Sequence, residues 1–185
     1  MSLNQLAVVR NRLNIPAESM RDEELQEELD RASRRVNAKV GKYLTYKVRV
    51  LDETLDDYQL PFDEIDSVHS VILDDDAVSS SYYTLAQDTG IVSFTSDVTF
   101  EVNDILEIRY VPTIFKDIEL LMVEIDILNH RNIIAPSDER KAQIEELKGL
   151  LEDYLKTISK KGVAIGGMSN HPSSAYFDSD KYTYD

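Results

Sequence analysis

Two changes of hydrophobic period divide this chain and limit what it can become. Leu25, Leu29, Ala32, Val36 and Val40 follow one another at steps of 4, 3, 4 and 4, which is one face of a helix over 20–43. From Thr45 the step falls to two, as in "YKVRVL" and "ILEIRYV". It returns to three and four at Ile118, Leu121, Met122, Ile125 and Leu128, a helix over 114–131. No regular element serves both periods, so the chain must be built as helices, then strands, then helices.

Further helices flank these. "LNQLAVVRNRL" reads as a short helix over 3–13, stopped at Asn14-Ile15-Pro16. Ser19 and Asp22 resemble a capping box at the start of the long helix, and Gly41 is placed as its stop signal. After Pro136, Ser137 can cap a last helix over 137–160. Its Ile144, Leu147, Leu151, Tyr154 and Ile158 form an a/d seam, too short for a free coiled coil but suited to packing in a bundle or on a neighbouring subunit.

The stretch 45–111 carries six candidate strands, in "YKVRVL", "DYQLP", "SVHSVIL", "SYYTLA", "GIVSF" and "ILEIRYV". Turns such as Asp74-Asp75-Asp76 and Asp88-Thr89-Gly90 separate them, which argues for antiparallel hairpins. The expected fold is α+β: a bundle of about four helices with an inserted antiparallel β module, forming a single domain over 1–161.

An extended C-terminal tail over 162–185 follows. It holds three of the chain's six glycines and no apolar period, yet contains Val163, Ile165, Met168, Tyr176, Phe177, Tyr182 and Tyr184. Such a segment cannot offset its ordering entropy by burying itself. These side chains are therefore expected to bind a partner, by strand addition or by filling pockets. Ordering on its own subunit is the alternative.

Charge is distributed unevenly. The net charge is −15, and the segment from Val50 to Ile108 supplies all of it, with fifteen acidic residues and no lysine or arginine. Before it, Arg31, Arg34, Arg35, Lys39, Lys42, Lys47 and Arg49 occur without an intervening acid. One reading is a solvated acidic face. The sharper one is that a basic patch of Arg31, Arg34, Arg35, Lys39 and Lys42 meets an acidic module, within the chain or between copies.

Residues for covalent chemistry are not picked out. There is no cysteine, so disulfides and thiolate metal sites are excluded. His69, His130 and His171 lack metal-ligand spacing, and Asp74-Asp75-Asp76 lacks the ligand pattern of a calcium loop. No nucleophile elbow, P-loop or dinucleotide fingerprint occurs. The expectation is a non-enzyme without cofactor or metal. No apolar run is long enough to span a membrane, and the start has no signal-peptide character, so no membrane partner is expected.

The order of the parts resembles the head–tail connector (adaptor, or head completion) proteins of tailed bacteriophages. The resemblance covers roughly residues 3–132. Its first part is "LAVVRNRLNIPAESMRDEELQEELDRASRRVNAKVGKYL", where Leu13, Ile15, Pro16, Asp22, Leu25, Leu29, Ala32 and Val36 take the family's places. Its second is "YYTLAQDTGIVSF" followed by "EVNDILEIRYVP", through Tyr83, Asp88, Gly90, Phe94, Ile108 and Tyr110. The helix ending "ILNHR", Ile127 to Arg131, is similar too. Two features depart from the family: a longer β region, and Val111-Pro112-Thr113 where a glycine-containing link is common.

The resemblance implies a structural protein of the virion neck, assembled in the host cytoplasm. It would form a homo-oligomeric ring of roughly twelve copies. The ring would dock on the portal of a DNA-filled capsid, with its C-terminal segment reaching the portal, and would hold a downstream neck or tail protein. DNA would pass through without sequence-specific binding, and a carboxylate-lined ring would repel phosphate and let it slide. The alternatives are a head-closure ring, a tail terminator or an acidic cellular binding module.

Overall fold

The computed structural model describes residues 6–12, 15 and 20–162. In chain order these form α1 (Leu6–Arg12), α2 (Asp22–Val40), β1 (Leu44–Arg49), β2 (Asp57–Gln59), β3 (Ile65–Leu73) and β4 (Asp76–Val78). A 3-10 turn at Ser80–Tyr82 leads to β5 (Tyr83–Ala86), β6 (Ile91–Phe94), β7 (Ile105–Pro112), α3 (Ile114–Ile134) and α4 (Asp138–Gly162). The chain is α+β, as its periods require. It divides into two compact units: a helical one, up to Lys42 and again over Ile114–Ile158, and a β unit over Tyr43–Thr113 that includes the last turn of α4 from Ser159.

In the helical unit α2 buries Leu25, Leu29, Ala32 and Val36, while Val40 is half-buried as the helix ends. At about 2 kcal/mol for each large aliphatic side chain, this stripe outweighs the modest helix propensity of the sequence. The helix runs over Asp22–Val40, starting two residues later than expected. Arg21 flanks it, its backbone N–H donating to Glu24 Oε2 at 3.2 Å and its guanidinium to Glu24 Oε1 at 2.7 Å. A guanidinium accepts no hydrogen bond, so this is half of a capping box. Ser19 lies outside the described residues. Gly41 ends the helix at φ 84°, its N–H bonded to Asn37 O at 3.0 Å, as its position in the sequence predicts.

Arg10 fastens α1 to the start of α2 through Asp22 Oδ1 and Met20 O, both at 2.6 Å. Arg12 reaches Asp117 of α3 at 2.8 Å. Along α3 the expected stripe is buried at Ile118, Leu121, Met122 and Ile125, with Leu128 half-buried. Phe115, Leu120, Val123, Ile127 and even Glu119 are buried as well. A helix covered on nearly every side is a core helix, not a surface helix with one apolar face.

The α3–α4 corner is closed by polar side chains. Asn132 Oδ1 accepts from Ser137 N at 3.0 Å, and the Arg140 guanidinium donates to the carbonyls of Ala135 and Arg131. These bonds occupy carbonyls that a helix end leaves open. Of the expected seam on α4, Ile144 and Ile158 are buried, and Leu147, Leu151 and Tyr154 are half-buried.

The β unit holds two antiparallel sheets, in the orders β1-β7-β3-β4 and β2-β6-β5. β7 alternates strictly, burying Leu106, Ile108, Tyr110 and Pro112. Its neighbours bring Leu44, Tyr46 and Val48 opposite Tyr110, Ile108 and Leu106 on the same buried face. Thr45, Lys47 and Arg49 occupy the other face, opposite Arg109, Glu107 and Ile105.

One turn differs from its sequence reading. Asp76 already belongs to β4 and pairs with Leu73, which leaves Asp74 and Asp75 as a two-residue hairpin loop. Both have positive φ, 45° and 70°, the pattern of a type I′ turn. Asp74 Oδ1 accepts from Ile105 N at 2.7 Å, so this carboxylate fixes the loop against the start of β7.

The second sheet is built on aromatic packing. Phe94 meets Tyr58 edge-on at 5.8 Å and Phe100 edge-on at 5.2 Å. Gly90 turns the chain into β6 at φ +67°, and any Cβ there would lie 2.1 Å from Phe62 O. Glycine is the only residue that fits.

Candidate interaction surfaces

The basic patch read from the sequence separates into two groups. Arg31 lies against Glu28 of its own helix at 2.9 Å, and Arg35 Nη1 is 2.5 Å from Asp126 Oδ2 on α3. These two are engaged within the helical unit. Arg34, Lys39 and Lys42 are exposed and make no ion pair among the described residues. They are the part of the patch available to a second molecule.

In the β unit most carboxylates are exposed, including Asp56, Asp57, Asp63, Glu64, Asp75, Asp76, Asp88 and Asp97. Unbalanced like charges at this density make a lasting negative field. Glu107 is one exception, holding Arg109 of its own strand at 2.6 Å and Lys47 of β1 at 3.6 Å. Asp52 is also committed. Its carboxyl is held below the usual carboxylate range, first by the Thr54 hydroxyl at 2.7 Å and then by the Thr54 N–H.

The sequence did not single out the polar face of the first sheet. Tyr43 stacks on His69 with ring centroids 4.9 Å apart, and the Arg109 guanidinium stands 5.6 Å from the Tyr43 ring. His69 therefore has a stacking role. His130 is exposed on α3, and His171 lies outside the described residues. Among the described residues no three acidic or histidine side chains are grouped so as to hold a metal ion, and no described helix is long and apolar enough to cross a membrane.

Exposed apolar side chains gather where α3 ends: Ile133 is 79% and Ile134 72% accessible, on a corner made rigid by Asn132, Ser137 and Arg140. The run Ile133-Ile134-Ala135-Pro136 was the available signal, since its two isoleucines fall off the Ile118–Leu128 stripe. The tail residues Val163, Ile165, Met168, Tyr176, Phe177, Tyr182 and Tyr184 all lie outside the described residues.

Several residues that carry the resemblance to connector proteins are core residues. Leu25, Leu29, Ala32, Ile108 and Tyr110 are each no more than 1% exposed, so packing alone accounts for them. The chain matches no protein-family model and no curated protein. Its function has to be argued from its own residues.

Proposed function

We propose that this protein is a ring-forming connector of the virion neck. It docks on a portal and joins a DNA-filled capsid to the next neck or tail component. The observation that carries the reading is the segregation of surface charge. A helical unit presents Arg34, Lys39 and Lys42 without an ion pair among the described residues, and the exposed charged side chains described in the β strands and their loops are carboxylates. A heterologous contact between neighbours can join these two surfaces at every junction of a closed ring. The carboxylates left over give DNA phosphates nothing to hold, which suits a conduit and not a binding site. Helices on both sides of the β insertion, in the connector-like order, support the same reading. The work is mechanical, and no covalent step is assigned.

Native mass measurement of the purified chain, alone and with a portal ring, tests this. Ring-sized assemblies, alone or on the portal, are expected. A chain that stays monomeric or dimeric in both conditions overturns the proposal in favour of an acidic binding module.

A further inference from the structure

Among the described residues of the helical unit, the large apolar side chains left exposed are Val8 on α1, Ile133 and Ile134 at the end of α3, and Leu150 on α4. Val8 stands singly, which is ordinary for a surface. The others belong to two patches. The first is the α3–α4 corner, where His130 and Arg131 precede Ile133 and Ile134 by three or four positions, so the four side chains are neighbours on the helix surface. All four are exposed. Arg131 makes no ion pair among the described residues, and it is its carbonyl, not its guanidinium, that receives the Arg140 side chain at 3.2 Å.

The second patch runs along α4. Glu146, Leu150 and Tyr154 follow at steps of four and form one row on the helix surface. Leu150, in the middle of the row, is turned by about 100° from the side on which Ile144 and Ile158 are buried. Tyr154 is half-buried, and Glu146 is exposed with no ion pair among the described residues. One copy cannot join its own two patches. The bonds of Asn132, Ser137 and Arg140 fix the isoleucines at the start of α4, and Leu150 lies about 18 Å from Asp138 along the helix axis. Yet the patches are complementary, an apolar tip beside a guanidinium and an apolar strip beside a carboxylate. Two different complementary patches on one molecule make a head-to-tail contact between copies.

We infer that the Ile133–Ile134 corner of one copy packs on the Leu150–Tyr154 strip of α4 in the next, with Arg131 facing Glu146 across the junction. The contact repeats around a ring, and for that repetition it rests on the function proposed above. A standard interface takes about 20–30 residues a side, and this contact centres on a few. It is one anchor of the junction, in which the isoleucines supply attraction and the charge pair sets the orientation.

The chain has no cysteine, so single cysteines report contacts between copies without background. Full-length Ile133→Cys and Leu150→Cys proteins, mixed at millimolar concentration with a short thiol-to-thiol linker, should give a covalent pair of twice the chain mass. Each variant alone should give about tenfold less. Adding Arg131→Glu to the first should lower the mixed yield several-fold, and adding Glu146→Arg to the second should restore most of it. All four positions are exposed, so melting of each variant in dilute solution should match the parent. A mixture that yields no covalent pair overturns the inference, and if mass shows rings at the same time the ring reading still stands. Pairing of Ile133→Cys with itself to the same yield overturns it too, as does a yield indifferent to the charge reversal. Open ladders of the mixed variants that never close keep this contact and overturn the ring instead.

Discussion

Arg35 Nη1 stands 2.5 Å from Asp126 Oδ2 and so ties α2 to α3 across 91 positions of sequence. The pair is half in water, with side-chain exposures of 42% and 24%. A double-mutant cycle with Arg35→Ala and Asp126→Ala should give a coupling of about 1 kcal/mol, toward the upper end for exposed pairs. Urea unfolding measures it. A coupling near zero would return Arg35 to the set of arginines available for assembly.

Two glycines should respond in opposite directions to the same substitution. Gly90→Ala forces a left-handed conformation and a clash with the Phe62 carbonyl, and should cost about 3 kcal/mol. Gly149 lies inside α4 with nothing within 4 Å of an added Cβ. Gly149→Ala should stabilise by up to about 1 kcal/mol through helix propensity alone. Midpoints that move the same way would mean that one of these backbone sites is misjudged.

The contrast between those glycines reflects what the sequence made legible. Local rules worked where one residue answers one local demand: Gly41 and Gly90 stop and turn the chain, Leu25–Val36 is buried at helical spacing, and β7 alternates. They failed where distant residues decide. β4 has only 3 residues, none buried, and exists because β3 offers it an edge. Asp76 therefore looked like turn when it is strand. Glu119 sits on a helix whose burial on nearly every side no single stripe predicts. The basic patch was legible as composition only. That Arg31 and Arg35 are occupied depends on Glu28 and Asp126, and no spacing rule links Arg35 to a residue on another helix.

The β unit keeps buried hydroxyls that suit neutral and alkaline conditions differently. Tyr58 is 3% exposed, and its hydroxyl has no hydrogen-bond partner among the described residues. Removing an unsatisfied buried polar group relieves a desolvation cost, so Tyr58→Phe should be neutral or stabilising by up to about 1 kcal/mol. Burial also pushes the phenols of Tyr46, Tyr58 and Tyr110 up, Tyr46 to about 12. A raised folded pKa means that the folded state holds its proton more tightly than the unfolded chain does. The associated stability is complete below about pH 10, the unfolded value, and is lost as pH rises toward and through the folded values. Absorbance at 295 nm should show these three of the ten tyrosines ionising only with unfolding. Reversible ionisation of all ten near pH 10 in the folded protein would contradict the burial.

The charge contact proposed for the ring makes the last prediction, and the structure narrows which residues can test it. Changing Arg35 would loosen the α2–α3 pair, and changing Arg31 would leave Glu28 alone, so a loss of assembly in either case could come from folding. Arg34 and Lys39 carry no such complication, being exposed and unpaired within the described chain. Arg34→Glu with Lys39→Glu should leave the melting of the isolated subunit within about 0.5 kcal/mol of the parent. Assembly should respond more strongly. Each junction loses two attractions of about 0–1 kcal/mol and gains repulsion against an acidic neighbour. A loss of 1.4 kcal/mol per junction is already about tenfold in its equilibrium. Raising ionic strength from 0.05 M to about 0.5 M should weaken rings of the parent and narrow the gap between parent and variant, since the charges are exposed and screened. Asp56→Lys with Asp57→Lys, on the exposed acidic surface of the β unit, should restore part of the loss at low salt. If ring yield follows neither the reversal nor the salt, subunits meet through other surfaces, and the exposed Ile133–Ile134 corner becomes the first to mutate.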